Sequence, residues 1–229
     1  MTMETLSKSS GNYIEAVLFD LDGTLLDTHL DLIAALNTVL VNHGKMSMPA
    51  DQLRPFVSKG AMVMVCLAFK CNPKSEEARK LWLEMLDAYE ADIAQHTVLF
   101  PGMNEVLGKI EDSGRNWGIV TNKPQHYTEL LLTQLSMPYN PDTVVSGDTL
   151  KVKKPNPEPI LLACDEIKKS AHCCVYIGDD ERDIIAGKAA GMPTVAAAYG
   201  YIVDEENPLD WNADAIIKQA SELSVLLDL

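Results

Sequence analysis

Asp20 and Asp22 stand two residues apart in Phe19-Asp20-Leu21-Asp22-Gly23-Thr24, directly after an apolar run. Carboxylates this close repel one another unless a cation or a shared proton compensates them. Magnesium suits such a pair, because it takes oxygen ligands and commonly binds one or two carboxylates together with water and a phosphate oxygen. In an extended segment residues two apart point the same way, so both carboxylates can face one site, and Gly23 permits a sharp turn out of it. By itself Asp-x-Asp also fits an acidic surface turn. A second acidic group, Gly178-Asp179-Asp180-Glu181-Arg182-Asp183, also follows an apolar run and brings further carboxylates to the same kind of position. Its plain alternative is a helix start whose acids complement the macrodipole.

Two more stretches supply what an oxyanion requires. Val120-Thr121-Asn122-Lys123 offers a hydroxyl, a side-chain amide and the start of a helix, whose free N–H groups attract anions. Lys151-Val152-Lys153-Lys154-Pro155 places ammonium groups just before another helix start. Read singly, Thr121 is a helix cap and the lysines are a solvated loop. Their order along the chain is what gives them weight.

The elements that must position these residues are legible as alternation. Apolar, strand-favouring runs occur at Glu15–Asp20, Trp117–Thr121, Thr143–Ser146, Cys174–Gly178 and Thr194–Ala198. Helical patterns lie between them at 102–113, 124–135, 157–169 and 181–190, the last stopped by Gly191. Strands alternating with helices predict an α/β fold with a parallel sheet covered on both faces, and ligands then bind at the carboxyl ends of the strands. The stretch from about Thr28 to Thr97 breaks the alternation: it has no strand pattern, and helices are expected at 29–42, 62–69 and 75–93. It reads as an insertion, with the Met46, Met48, Met62 and Met64 group expected in its core or in a pocket wall.

The composition, 47% hydrophobic and 23% charged, is that of a folded globular protein. A net charge of −14 disfavours nucleic acid and anionic membrane surfaces. Residues 28–97 carry seven Lys/Arg and eight Asp/Glu, net −1, so an anion approaches this segment more easily than the rest. The first dozen residues lack the apolar stretch of a signal peptide, and no run nears the ~18 residues that span a bilayer. Five cysteines without paired spacing read as reduced thiols, and the cytoplasm is the expected compartment.

The ordered set Asp-x-Asp-Gly-Thr, strand-ending Thr121, Lys154 before Pro155, and Gly-Asp-x-x-x-Asp resembles the haloacid dehalogenase (HAD) superfamily of phosphohydrolases. The resemblance implies a Rossmann-like parallel-sheet core over residues 1–27 and 98–229, with residues 28–97 as an all-helical cap. It implies Asp20 as nucleophile and Asp22 as general acid and base. Mg2+ would be held by Asp20, the Asp22 backbone carbonyl and Asp179, with Asp183 behind them. Thr121, Asn122 and Lys154 would bind the phosphoryl oxygens. Within the superfamily the chain is similar to phosphoglycolate phosphatases and to N-acetylmuramic acid 6-phosphate phosphatases, so a small phosphorylated metabolite is the expected substrate. Arg54 and Lys59 in the insertion are candidates to meet a substrate carboxylate. A dehalogenase normally lacks the second Asp, whereas a β-phosphoglucomutase-like phosphomutase shares the motifs and is the rival reading. A non-catalytic binding module finds no support in the intact acid set.

Overall fold

In the computed structural model, which describes Leu6 and residues 13–229, the apolar runs build a six-stranded parallel sheet. The elements in chain order are β1 (Ala16–Phe19), β2 (Leu26–Asp27), α1 (His29–Asn42), α2 (Ala50–Leu53), α3 (Ala61–Phe69), α4 (Glu76–Ala91), β3 (Val98–Leu99), α5 (Met103–Asp112) and β4 (Asn116–Val120). They continue with α6 (Gln125–Gln134), β5 (Thr143–Val145), α7 (Glu158–Glu166), β6 (Cys174–Gly178), α8 (Glu181–Ala189), β7 (Thr194–Ala197), β8 (Ala215–Ile217) and α9 (Leu223–Leu226).

The sheet order is β5-β4-β1-β6-β7-β8. β1 lies between β4 and β6, with Ala16–Phe19 in register with Asn116–Ile119 on one side and Cys174–Ile177 on the other. This register brings the residues just beyond the three strands, Asp20, Thr121 and Asp179, to one edge of the sheet. All four residues of β1 are buried, as a strand covered on both faces must be, which is why Ala-Val-Leu-Phe runs apolar without alternation. Phe19 and Trp117 pack edge to face across the β1–β4 pair.

Helices α1 to α4 stand between β2 and β3, which pair antiparallel (Leu26 with Leu99, Asp27 with Val98) where the chain leaves the sheet and returns to it. Asp31 ties the two passages together by accepting bonds from the backbone N–H of His96 and Thr97 and from the Thr97 hydroxyl. α4 buries Ala78, Leu81, Met85 and Tyr89 at helical spacing, and Ser75 caps its start by accepting from Ala78 N–H. The methionines do not act as one group: Met64 is buried, but Met46 is 90% exposed. The strands β2, β3 and β8 and the short helices α2 and α9 are additions to the expected elements. All five cysteines are free thiols. Among the described residues no helix is long and apolar enough to cross a membrane.

Candidate active site

Each of the three adjacent strand ends delivers one part of the site. Past β1, Gly23 turns the chain at φ +89°, and a Cβ there would lie 2.1 Å from Asp179 Oδ2, so no other residue lets the two loops meet. Asp20, Asp179 and Asp183 are brought together with one carboxylate oxygen from each within 4.8 Å of the others. All three are buried. Burial, with the charges of Asp20 and Asp183 adding to it, pushes the Asp179 carboxyl well above the usual range.

Lys154 is the counter-charge. Its Nζ donates to Asp20 Oδ1 (2.7 Å) and to the Tyr176 hydroxyl (2.8 Å), and makes a close ionic contact with Asp183 Oδ1 (2.7 Å). Although burial works against the ammonium, Asp183 and Asp20 hold its pKa well above the ordinary lysine value. Tyr176 in turn donates to Val120 O (2.6 Å), anchoring the lysine to the sheet. Burial raises Asp183 to about 7; Lys154 opposes the rise and the charge of Asp20 adds to it.

Asp22 has different partners. Its carboxylate accepts from the Thr28 hydroxyl (2.7 Å) and from Lys123 Nζ (3.0 and 3.3 Å). Lys123 lies over the Tyr89 ring, 4.7 Å from its centroid, and its ammonium is stabilised against burial chiefly by Asp22. Thr121 is buried and accepts from Lys123 N–H. The Asn122 side chain is engaged elsewhere than expected: it donates to Lys154 O and accepts from Lys154 N–H, both at 3.0 Å, so it holds the lysine loop in place.

These residues open on a cavity of about 320 Å³ between the strand ends and the helical insertion. Asp20, Asp22, Thr121, Asn122, Lys123 and Lys154 line its floor, and Val57, Met62, Trp82, Leu86 and Tyr127 line the wall. Lys59 reaches this cavity, where its Nζ contacts Asp180 Oδ2 (2.8 Å) and Glu206 Oε1 (2.5 Å). Arg54 does not. Its guanidinium donates to the carbonyls of Gly200 and Tyr199 and stacks on Tyr201, 4.9 Å from the ring centroid. The structure therefore directs Arg54 to the core loop after β7, away from the carboxylate-binding place expected for it. Asp180 caps α8 and is held well below the usual carboxylate range, burial being outweighed by Arg182 and Lys59.

The donor set fits magnesium. It is all oxygen, it gathers three buried carboxylates of which Asp179 is raised by burial and then by the charges of the other two, and Gly23 leaves room for nothing larger than hydrogen beside them. Three functional neighbours were not legible in the sequence: Lys123, which sits inside a flagged motif but carries no mark of its partner; Tyr176, one of several apolar-run residues; and Ser58, whose hydroxyl reaches Asp179 Oδ2 at 2.8 Å.

The fold and this constellation define a hydrolase with an Asp-centred site at the sheet edge. Residues 17–197 match the family model described as haloacid dehalogenase-like hydrolase. The chain belongs to that family and is an enzyme. It is 46% identical over 209 residues to the phosphoglycolate phosphatase of Xanthomonas campestris pv. campestris, covering 91% of this chain and 94% of that one. It is 40% identical over 215 residues to the N-acetylmuramic acid 6-phosphate phosphatase of Pseudomonas putida, covering 94% and 96%. Its fold is that of CbbY from Rhodobacter sphaeroides, solved in complex with phosphate (TM-score 0.73, 23% identity, 94% and 100% covered).

Proposed function

We propose that this phosphatase is a Mg2+-dependent phosphomonoester hydrolase that works through an aspartyl-phosphate on Asp20 and takes a small carboxylated ester of the 2-phosphoglycolate kind. One observation carries the reading: Lys154 Nζ lies between Asp20 and Asp183 beneath a cavity whose floor also holds Asp22 and Thr121. An ammonium there neutralises the nucleophilic carboxylate and an incoming phosphoryl group together.

Asp20 attacks phosphorus, forming a carboxylate–phosphorus bond as the ester P–O bond breaks. Asp22 gives its proton to the leaving oxygen, then takes one from the water that attacks the aspartyl-phosphate, so free Asp20 and inorganic phosphate return. Lys123 and Thr28 fix the Asp22 carboxylate at the cavity floor between these transfers. Lys154 and the Thr121 loop bind the phosphoryl oxygens, while Asn122 keeps the Lys154 backbone in place. Magnesium would be held by Asp20, the Asp22 carbonyl and Asp179, with Asp183 behind Lys154. It would supply positive charge to the phosphoryl group when bound.

We assign residues 1–27 and 98–229 to the catalytic core and 28–97 to a cap that shuts out bulk water. Lys59, which lines the cavity, is our candidate cap cation for a substrate carboxylate; Arg54 secures the cap to the core. Free cysteines accord with a reducing compartment, and we place the enzyme in the cytoplasm.

A second reading, N-acetylmuramic acid 6-phosphate as substrate, is favoured by the cavity wall. Trp82, Tyr127, Leu86 and Met62 offer apolar surface that a two-carbon acid does not use but the substituents of an amino sugar do. A phosphate-release panel of 2-phosphoglycolate, N-acetylmuramic acid 6-phosphate and hexose phosphates, with and without Mg2+, tests both. Failure of every ester with Mg2+ would remove the hydrolase assignment. Transfer of phosphate to another position of a hexose 1-phosphate, without release, would make the chain a mutase.

A further inference from the structure

The loop between α2 and α3 reaches Asp179 and the Asp22 backbone carbonyl at the carboxylate site. The Ser58 hydroxyl donates to Asp179 Oδ2 at 2.8 Å and lies 3.4 Å from the Asp22 backbone carbonyl. These are two of the three groups to which the proposed function gives the cation. Asp179 Oδ2 also accepts from Tyr201 N–H (2.7 Å), and its Oδ1 faces the Thr24 hydroxyl (3.2 Å). Of these three donors only Ser58 comes from the insertion.

The neighbours of Ser58 hold the loop down. Lys59 bridges Asp180 and Glu206, both on the core, and Arg182 Nη2 donates to Ser58 O at 3.0 Å. Arg182 is itself locked to Asp180 through Nε and Nη2, each at 2.8 Å. Asp180 therefore joins the capping of α8, the insertion's lysine and the clamp on the Ser58 carbonyl in one contiguous network. Displacing the loop removes a donor from Asp179 and leaves that buried carboxylate to orient with two.

We propose that Ser58 is a positioning residue through which seating of the insertion loop completes the cation site, so that cation affinity and loop closure are coupled. The inference rests on the assignment of Asp179 and the Asp22 carbonyl to the cation. Groups that hydrogen-bond a metal-bound carboxylate fix its rotamer, and their loss typically weakens metal binding by roughly 10–100-fold. Coupling is reciprocal: if a seated loop tightens the cation, the cation tightens the seat by the same factor. An enzyme so built reads the state of its lid at its metal, because an open insertion leaves an under-supported site.

Calorimetric titration of Mg2+ and Mn2+ into the full-length protein tests this, comparing wild type, Ser58→Ala, Lys59→Met and, as a control, Asp179→Asn. Thermal unfolding in chelator checks that each variant is folded. Ser58→Ala is expected to weaken cation binding roughly tenfold or more. Lys59→Met, which touches neither cation group, is expected to weaken it in the same direction by less. In wild type the amides of residues 57–60 are expected to exchange more slowly with Mg2+ than with chelator. Ser58→Ala binding as tightly as wild type, or tighter, would overturn the coupling while leaving the cation assignment standing. So would loop exchange that ignores the cation. A wild type that binds no cation, or Asp179→Asn binding undiminished, would defeat the coupling and the cation assignment together.

Discussion

Lys154→Met keeps most of the length of the side chain and deletes the charge on which the site's electrostatics depend. Nζ is bonded to Asp20 and Tyr176 and in ionic contact with Asp183, and the residue is 3% exposed. Without it three buried carboxylates, with oxygens within 4.8 Å of one another, have no lysine among them. Removing one partner of a buried ion pair costs about 3–5 kcal/mol. For a chain of this size each kcal/mol moves Tm by about 2–4 °C, so in chelator the variant should melt about 6–20 °C below wild type. The deficit should shrink at acid pH, where the stranded carboxylates can be neutralised by protons instead. Catalysis loses a preorganised cation at the phosphoryl group, a loss of about 10²–10³ in kcat by analogy with deleting one oxyanion donor. Differential scanning calorimetry in chelator and phosphate release with saturating Mg2+ measure the two effects separately. A melting point within about 2 °C of wild type, less than 1 kcal/mol, would show that the ammonium is not the buried counter-charge described here. Turnover within a few-fold of wild type would remove it from the phosphoryl site.

Asp20→Asn, which preserves shape but not nucleophilicity, should lower turnover at least about a thousandfold on every ester while leaving the thermal transition cooperative; turnover near wild type would mean another group attacks phosphorus. The buried carboxylates also set a pH dependence in chelator. Asp183 is raised to about 7 and Asp179 is raised as well, both principally by burial, so between about pH 4 and 7 the folded state binds more protons than the unfolded one. The sign is then fixed: stability falls as pH rises through that window, and Mg2+ should flatten or reverse the fall by favouring the ionised forms. Asp180, held low, contributes constantly there. Thermal melts from pH 5 to 8 check it, and stability rising with pH in chelator would contradict the assigned cause. Gly23→Ala places a methyl 2.1 Å from Asp179 Oδ2 at a backbone angle of +89°, and should weaken Mg2+ binding at least about tenfold. Calorimetric affinity equal to wild type would show that the loop relaxes freely.

How much of this was legible depended on the kind of physics involved. Five of the six sheet strands announce themselves because a parallel strand buried on both faces must be apolar throughout, as Ala16–Phe19 and Cys174–Gly178 are. The insertion's helices α1 and α4 are as plain, since amphipathic spacing is local information. β2 and β3 are two residues each and carry no period, so only the closure of the chain reveals them. Asp20 and Asp179 were readable because each directly follows a strand, and strand ends converge in any sheet of this type. Their partners were not. Lys123 reaches Asp22 across 101 positions, and Lys154, from the loop after β5, meets Tyr176 of β6, two strands further along the sheet than β4, the neighbour of β5. Arg54 illustrates the opposite error: a cation in an insertion loop looks like a ligand for substrate, but its contact with Tyr201 and two carbonyls is set by how the insertion docks.

The proposed division of labour between Asp20 and Asp22 rests on those partners and not on the motif that contains both. Residues two apart in a strand would share an environment if the strand continued, but β1 stops at Phe19, Gly23 turns the chain, and Thr28 and Lys123 draw the second carboxylate aside. Asp20 is left between Lys154 and the other two buried acids, where a carboxylate is fixed, partly neutralised and aimed into the cavity. Asp22 faces the same cavity from the side of Lys123 and Tyr89, a lysine from the sheet edge and a ring from the insertion. A nucleophile needs a rigid seat and a proton carrier needs access to the leaving oxygen. The first comes wholly from the core. The second is bounded in part by Tyr89 of the insertion, so under the proposed mechanism the leaving group meets the side of the site that the insertion helps to wall.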